Sequence, residues 1–268
     1  MRVSVVTISF NQAEFLERTI QSVLQQDYPD TEYIIVDAGS TDGSLDIIQR
    51  YHSVFSKVII EPDKGAADGL NKGFLNATGD IYCFLNSDDT LLPGSISKVV
   101  DFFTSHPKYD VIYGHTIVTD AEDRTIRLCF SDKFSAIRAA YNAAFIMQPS
   151  TFFTASVFKC VKGFNINNSS NWDGELWIDM ALKKAKFKQV DAFLSTYRLH
   201  ESSITASKKL DDKYQEYSNR MFFKVVNRKK RYFDFILRVF FKLLRYVSNP
   251  RDVYQRILKG PIYGRLKS

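Results

Sequence analysis

The stretch VSVVTISFNQAEFLERTIQSVLQQ, residues 3–26, changes its period part-way along. Residues 3–10 are an almost unbroken β-branched run, the mark of a strand covered on both faces. From Asn11 onward the apolar positions fall at Phe15, Thr19/Ile20 and Val23/Leu24, the spacing of one face of a helix. Asn11 followed by Glu14 is placed like a capping box at the helix start. Together they read as one βα unit.

The unit repeats. EYIIVDAG (32–39), KVIIEPD (57–63) and DIYCFLN (80–86) carry the strand signal, and residues 42–54, 66–77 and 93–106 the helical one. Four βα repeats with near-continuous apolar strands predict an α/β fold, a mostly parallel sheet with helices on both faces. Ligands of such sheets bind beyond the carboxyl ends of the strands. Those ends are all polar here: Thr7, Ser9 and Asn11; Asp37, Gly39, Ser40 and Asp42; Glu61, Asp63 and Lys64; Ser87, Asp88 and Asp89. The last is the most telling, because two adjacent carboxylates repel each other and resist desolvation, so FLNSDD (84–89) calls for a cation.

Beyond Pro107 the pattern changes. DVIYGHTIVTD and TIRLCF predict an antiparallel pair, followed by a helix near 134–144, the segment MQPSTFF (147–153), a helix around 174–185 and a strand over 188–200. This half is expected to complete the cleft rather than to fold alone.

VVTISFNQ, IIVDAGSTDGS, EPDKGAADGLNKG and FLNSDD, in this order and spacing, resemble the nucleotide-sugar half of the inverting glycosyltransferases of family 2, which have the Rossmann-like GT-A fold. The resemblance spans about residues 3–205 and is strongest to bacterial enzymes that build O-antigen or capsular repeats. It implies that Thr7, Ser9, Asn11 and Asp37 lie around the base and ribose of a nucleoside diphosphate sugar. Asp63, Asp68 and Lys72 would lie near the nucleotide or donor sugar, with Lys64 as a further cation for the diphosphate. Ser87, Asp88 and Asp89 correspond to the family's metal motif, with Asp89 the direct ligand of Mn²⁺ or Mg²⁺ and Asp88 facing the ribose. In YRLHESSIT (197–205), His200 falls where the family places a basic residue or histidine near the diphosphate or metal.

An inverting transfer also needs a general base for the acceptor hydroxyl. NWDGELWIDMAL resembles the family's acidic segment at the start of a helix, which places the base at Asp173, with Glu175 and Asp179 as alternatives. Gln148 and Glu175 would line the acceptor side. Each role has a plainer reading: Asp37 and Asp42 as helix caps, Lys72 as a solvated lysine, Asp173 as an N-cap, His200 as an ordinary packed residue.

The net charge of +6 is unevenly spread. Residues 220–268 hold 14 Lys and Arg against two acids, Asp234 and Asp252, leaving 22 basic and 28 acidic residues in the first 219. In RYFDFILRVFFKLLRYV (231–247), the charged residues recur every three or four positions and nearly everything else is apolar. That predicts an amphipathic helix with a narrow polar stripe, too short and too charged to span a bilayer, which lies in an anionic membrane interface or packs on the catalytic domain or a second subunit. Nucleic acid is the less favoured partner, since the acidic remainder of the chain would oppose it and the apolar face would be wasted. Cys83, Cys129 and Cys160 are widely spaced among apolar neighbours and read as buried thiols of a reducing compartment; the first residues do not read as a signal peptide.

The sequence thus predicts a transferase domain over 1–207, with a nucleotide-sugar half (1–114) and an acceptor half (115–207), and a basic amphipathic helical tail over 208–268. The activity that the resemblance implies is metal-dependent, inverting transfer of one sugar, from a UDP-sugar to a glycan acceptor carried on a polyprenyl diphosphate. The enzyme would be cytoplasmic, held at the inner face of the membrane, and able to form a homo-oligomer. The alternative is a catalytically inactive membrane-bound scaffold.

Overall fold

The strand and helix periods of the first hundred residues form as read. In the computed structural model, which describes residues 1–201 and 211–262, β1 (Val3–Ser9), α1 (Ala13–Leu24), β2 (Thr31–Asp37), α2 (Ser44–Arg50), β3 (Lys57–Ile60), α3 (Ala66–Leu75) and β4 (Ile81–Asn86) alternate. They are followed by β5 (Thr90–Leu91) and α4 (Ser95–Ser105). The second half adds β6 (Val111–Thr119), β7 (Thr125–Cys129), α5 (Ala136–Ala140), β8 (Thr151–Thr154), α6 (Ala155–Val161), α7 (Trp172–Leu182) and β9 (Phe187–Arg198). Three helices close the described chain: α8 (Asp211–Val226), α9 (Tyr232–Ser248) and α10 (Pro250–Lys259). The start of the expected tail at 208 and the Ser202–Thr205 part of YRLHESSIT lie outside the described residues.

One nine-stranded sheet runs in the order β3-β2-β1-β4-β8-β6-β9-β5, with β7 paired to β6 off that path. β3, β2, β1 and β4 are mutually parallel. Beyond β4 the sheet is mixed: β8 is antiparallel to both β4 and β6, and β6 is parallel to β9. The chain leaves β1 toward β2 and β3, then returns to β4 on the other side of β1. That reversal opens a crevice at the carboxyl ends of β1 and β4.

Strand alternation sorts the core into two layers. Val3, Val5, Cys83 and Leu85 pack under α1, α2 and α4, while Val6, Tyr82 and Phe84 pack against α3, α6 and α7. α3 comes close because it lays glycines on β1: a Cβ at Gly73 would sit 2.4 Å from Val6 Cγ1, and one at Gly69 2.8 Å from Asp63 Oδ2. Of the three cysteines, Cys83 and Cys129 are buried as expected, but Cys160 lies on the exposed side of α6.

Glu32 is a buried acid within this frame. Its carboxylate accepts from Ser4 Oγ (2.5 Å), Thr78 N (2.8 Å) and Thr78 Oγ1 (2.8 Å), clamping the turn that leads into β4. Burial alone would raise its pKa, but these bonds and nearby Arg2 outweigh it and hold the carboxyl below the usual range. Glu32→Gln places an amide against the Thr78 N–H and is expected to cost about 1–3 kcal/mol in denaturant unfolding. Because the folded-state pKa is depressed, the ionised group's stabilisation is present above the ordinary glutamate range and lost as pH falls. Wild type should therefore lose more stability on acidification than Glu32→Gln.

α8 packs on α5 and α7 rather than apart from them. Tyr217 and Met221 join Ile178 in one buried cluster, and Arg220 Nη2 reaches Glu175 Oε2 at 2.7 Å. α8 thus shares a packed surface with the helices that precede it.

Candidate active site

The loops after β1 and β2 are stitched to each other. Asn11 adopts the left-handed conformation (φ 52°); its N–H donates to Ser40 Oγ at 2.8 Å, and its Oδ1 accepts from Thr41 N at 2.8 Å. The expected capping box with Glu14 therefore does not form. The N-cap of α1 is Gln12, without a side-chain bond, and Asp42 from the neighbouring loop accepts from Ala13 N at 2.8 Å. Asp42 also binds Ser44 N and Oγ at 3.0 and 2.6 Å, so it meets the first N–H of both α1 and α2, although the N-cap residue of α2 is Gly43.

Asp37 is fully buried. Its Oδ1 accepts from Gly39 N (2.9 Å) and Ser40 N (2.7 Å), and its Oδ2 from Ser40 Oγ (2.7 Å), which leaves one acceptor position for a ligand. Ser9, its register partner on β1, is buried with no hydrogen-bond partner for its hydroxyl among the described residues. Thr7 does not line the cleft. It is completely buried on the α1 side of the sheet, 3.1 Å from the Tyr33 hydroxyl, because alternation turns it into the core. Phe10, read only as the end of an apolar strand, is instead 58% exposed at the mouth of the crevice, where its ring can stack on a planar group.

Asp63 accepts from Gly65 N at 2.8 Å and Asp68 from Lys64 N at 3.0 Å. Lys72 reaches Glu61 Oε1 at 2.9 Å and the Pro62 carbonyl at 2.7 Å, and the Glu61 bond raises its pKa. It holds the 61–65 loop and keeps a charged ammonium beside the site.

The carboxyl end of β4 is the most heavily braced part of the crevice. Thr19 Oγ1 lies 2.8 Å from the carbonyls of both Ser87 and Asp89. Asp88 Oδ2 is 3.0 Å from His200 Nε2. Asp89 is buried: its Oδ1 accepts from Arg198 N at 3.1 Å, while its Oδ2 has no hydrogen-bond partner among the described residues. Desolvation, reinforced by the charge of Asp88, pushes the Asp89 carboxyl well up.

Arg198 is a member that sequence reasoning missed. It is almost wholly buried, donates from Nε to the Asp88 carbonyl at 2.9 Å, and pairs with Asp123 at 2.6 Å. Both Arg198 and the His200 ring lie against Phe15, at 5.2 and 4.4 Å from its centroid. The available signal was spacing, since residues two apart on extended chain share a side.

α7 delivers the acidic segment. Trp172 packs on Phe84 of β4 with centroids 5.4 Å apart, so the first turn of α7 lies over that strand. Asp173, in this turn, is partly exposed, and desolvation raises its pKa against the lowering effect of the Gly174 and Asp173 N–H groups. Glu175 faces the other way: its buried carboxylate binds Asn165, Asn168 (2.8 Å), Arg220 (2.7 Å) and Lys224 (3.4 Å). It is therefore not on an open acceptor side as expected. Asp179 pairs with Lys224. Gln148 is buried, donating to the Phe84 carbonyl (2.7 Å) and accepting from Asn86 Nδ2 (3.3 Å), and so braces the end of β4.

A buried carboxylate oxygen with nothing to accept is costly, and a hard divalent cation would satisfy it. Among the described residues no three His, Cys, Asp or Glu side chains stand together as a ready-made cage. The donor set would fit a cation held by Asp89 with Asp88 and His200 beside it.

The profile of glycosyl transferase family 2 matches residues 4–161, more than half of the chain. The chain belongs to glycosyl transferase family 2. An uncharacterised glycosyltransferase of Nostoc sp. is 36% identical over 129 residues, 47% of this chain and 40% of its own length. A candidate teichuronic acid biosynthesis glycosyltransferase of Bacillus subtilis, TuaG, is 41% identical over 103 residues, 37% of this chain and 41% of its own length. The match thus spans about two fifths of these curated relatives. Among solved structures, residues 1–349 of S. aureus TarS in complex with UDP-GlcNAc superpose with a TM-score of 0.70 at 16% identity, over 96% of this chain and 73% of that one. The mannosyltransferase PcManGT of Pyrobaculum calidifontis, in complex with GDP-Man and Mn²⁺, gives 0.64 at 17%, over 96% and 73%. These likenesses confirm the GT-A fold of this family 2 glycosyltransferase.

Proposed function

We propose that this family 2 enzyme transfers a single sugar, with inversion and with a divalent metal, from a UDP-sugar to a lipid-linked glycan during surface polysaccharide synthesis. The observation that carries the reading is the unsatisfied, buried Asp89 Oδ2 beside the Asp88–His200 pair, at the carboxyl ends of parallel strands. Mn²⁺ or Mg²⁺ held there would take up charge on the departing diphosphate. Asp37, Ser9 and Phe10 would receive the base, and Lys72 would face the phosphates.

Asp173 is the base in this reading. The acceptor hydroxyl oxygen bonds to the anomeric carbon as the bond from that carbon to the diphosphate breaks; the hydroxyl proton passes to the Asp173 carboxylate and the nucleoside diphosphate leaves. Glu175 is unsuited, since its oxygens are engaged by four side chains. TarS, which was solved with UDP-GlcNAc, and the teichuronic acid relative support the donor and the polymer class. A polyprenyl diphosphate carrier for the acceptor would suit an enzyme working at the cytoplasmic face of a membrane.

Calorimetric titration of UDP and GDP, each with Mn²⁺ and with a chelator, tests this. UDP is expected to bind with Mn²⁺ and to lose at least about tenfold in affinity with the chelator. Preferred binding of GDP would overturn the donor assignment. Failure of both nucleotides to bind would favour the scaffold alternative.

A further inference from the structure

Helix α9 is mounted with two charged residues of its polar stripe, Asp234 and Arg245, turned inward. A helix on a soluble protein turns its apolar face to the core. Here Asp234, on the protein side, is 4% exposed: it accepts from the Tyr141 hydroxyl (2.7 Å), Arg228 (2.6 and 2.8 Å) and Arg231 N (2.6 Å). The bonds from Arg228, foremost, hold its carboxyl well below the usual range. Arg245, on the same side, lies 2.7 Å from Asp132 and 3.6 Å from Asp252. Between them only Leu237 and Phe241 pack inward, against the cluster of Ala140, Tyr141 and Phe222.

The other side of α9 is apolar and open. Phe235, Ile236, Val239, Phe240, Leu243 and Val247 are 41–79% exposed. At 100° per residue these positions span about 140°, roughly two fifths of the circumference of the helix. Cations flank them without opposing acids. The only acids after residue 219, Asp234 and Asp252, are both buried in ion pairs with arginines. Arg238 and Lys242, by contrast, form no ion pair among the described residues.

We infer that the outward face of α9 docks flat on an anionic lipid surface. Its apolar side enters the interface and Arg238 and Lys242 meet the headgroup phosphates. No helix among the described residues is long and apolar enough to cross a membrane, so this contact lies on the bilayer. A second copy of the chain fits the charges less well, since pairing two α9 helices would bring cations together along a seam from which Asp234 is turned away. The inference stands independently of the transfer chemistry.

Co-sedimentation of the full chain with phosphatidylcholine vesicles, with and without phosphatidylglycerol, tests it. Binding is expected to the phosphatidylglycerol vesicles and to weaken with salt. Phe240→Ser combined with Leu243→Ser, and separately Arg238→Glu combined with Lys242→Glu, should each weaken it by about tenfold or more. Thermal melts should stay at the wild-type midpoint, because these side chains have few protein contacts to lose. Absence of wild-type binding, or wild-type binding by both double variants, would overturn the proposal. So would a dimer in light scattering that the apolar double variant dissolves while vesicles capture neither protein; that result would assign the face to a second copy.

Discussion

Asp173→Asn is expected to lower kcat by about 10²–10⁴-fold while leaving Mn²⁺-dependent UDP binding intact, because an amide cannot take the acceptor proton. Asp173 is suited to this work by its place in the first turn of α7 over Phe84, where partial burial raises its pKa. The same shift should move the acid limb of the kcat/KM profile above the ordinary aspartate range, since the base must be ionised to act. Glu175→Gln serves as the contrast. It disturbs the bonds from Asn165, Asn168, Arg220 and Lys224 that join α7 to its surroundings, so its main effect should be on the thermal midpoint. A single-turnover rate for Asp173→Asn near that of wild type would move the base elsewhere, with Asp179 the first to test.

Asp89→Asn should abolish metal-dependent donor binding, with a loss of Mn²⁺ affinity of at least about 100-fold, read by calorimetry and by the Mn²⁺ electron paramagnetic resonance signal. The melting midpoint without donor should stay nearly unchanged. The substitution keeps an acceptor for Arg198 N and removes a buried charge whose second oxygen is unsatisfied. Loss of the fold instead would assign Asp89 a structural role. Unchanged Mn²⁺ binding by a folded variant would remove the metal from this corner of the crevice.

Much of the architecture was legible because periodicity is local. The β-branched runs and helical spacings of residues 3–106 formed as read, and the polar residues after β1, β2 and β4 do meet at one edge of the sheet. The antiparallel pair of β6 and β7 was equally plain. The four-residue strand β8 and the short helix α6 were not, since they are too brief to show a period. Arg198 was hidden for another reason: a basic residue at the end of a strand looks solvated until its carbonyl and carboxylate partners are in place.

The sequence by itself determined the alternation of strands and helices, the family and the cluster of acids that marks the crevice. Only the tertiary structure decided which way individual side chains face. Asp173 and Glu175 are two residues apart on one helix, so they point to different sides, and the packing of α7 leaves Asp173 partly exposed while it buries Glu175 against Asn165, Asn168, Arg220 and Lys224. Thr7, a polar residue near a strand end, proved to lie on the core side of its sheet. In α9 the charge pattern specified a polar stripe opposite an apolar face, but whether Asp234 and Arg245 looked out or in depended on Tyr141, Asp132 and Arg228. A helical period sets the angle between two faces; which face turns inward depends on partners that, in the case of Tyr141, lie 93 residues away along the chain.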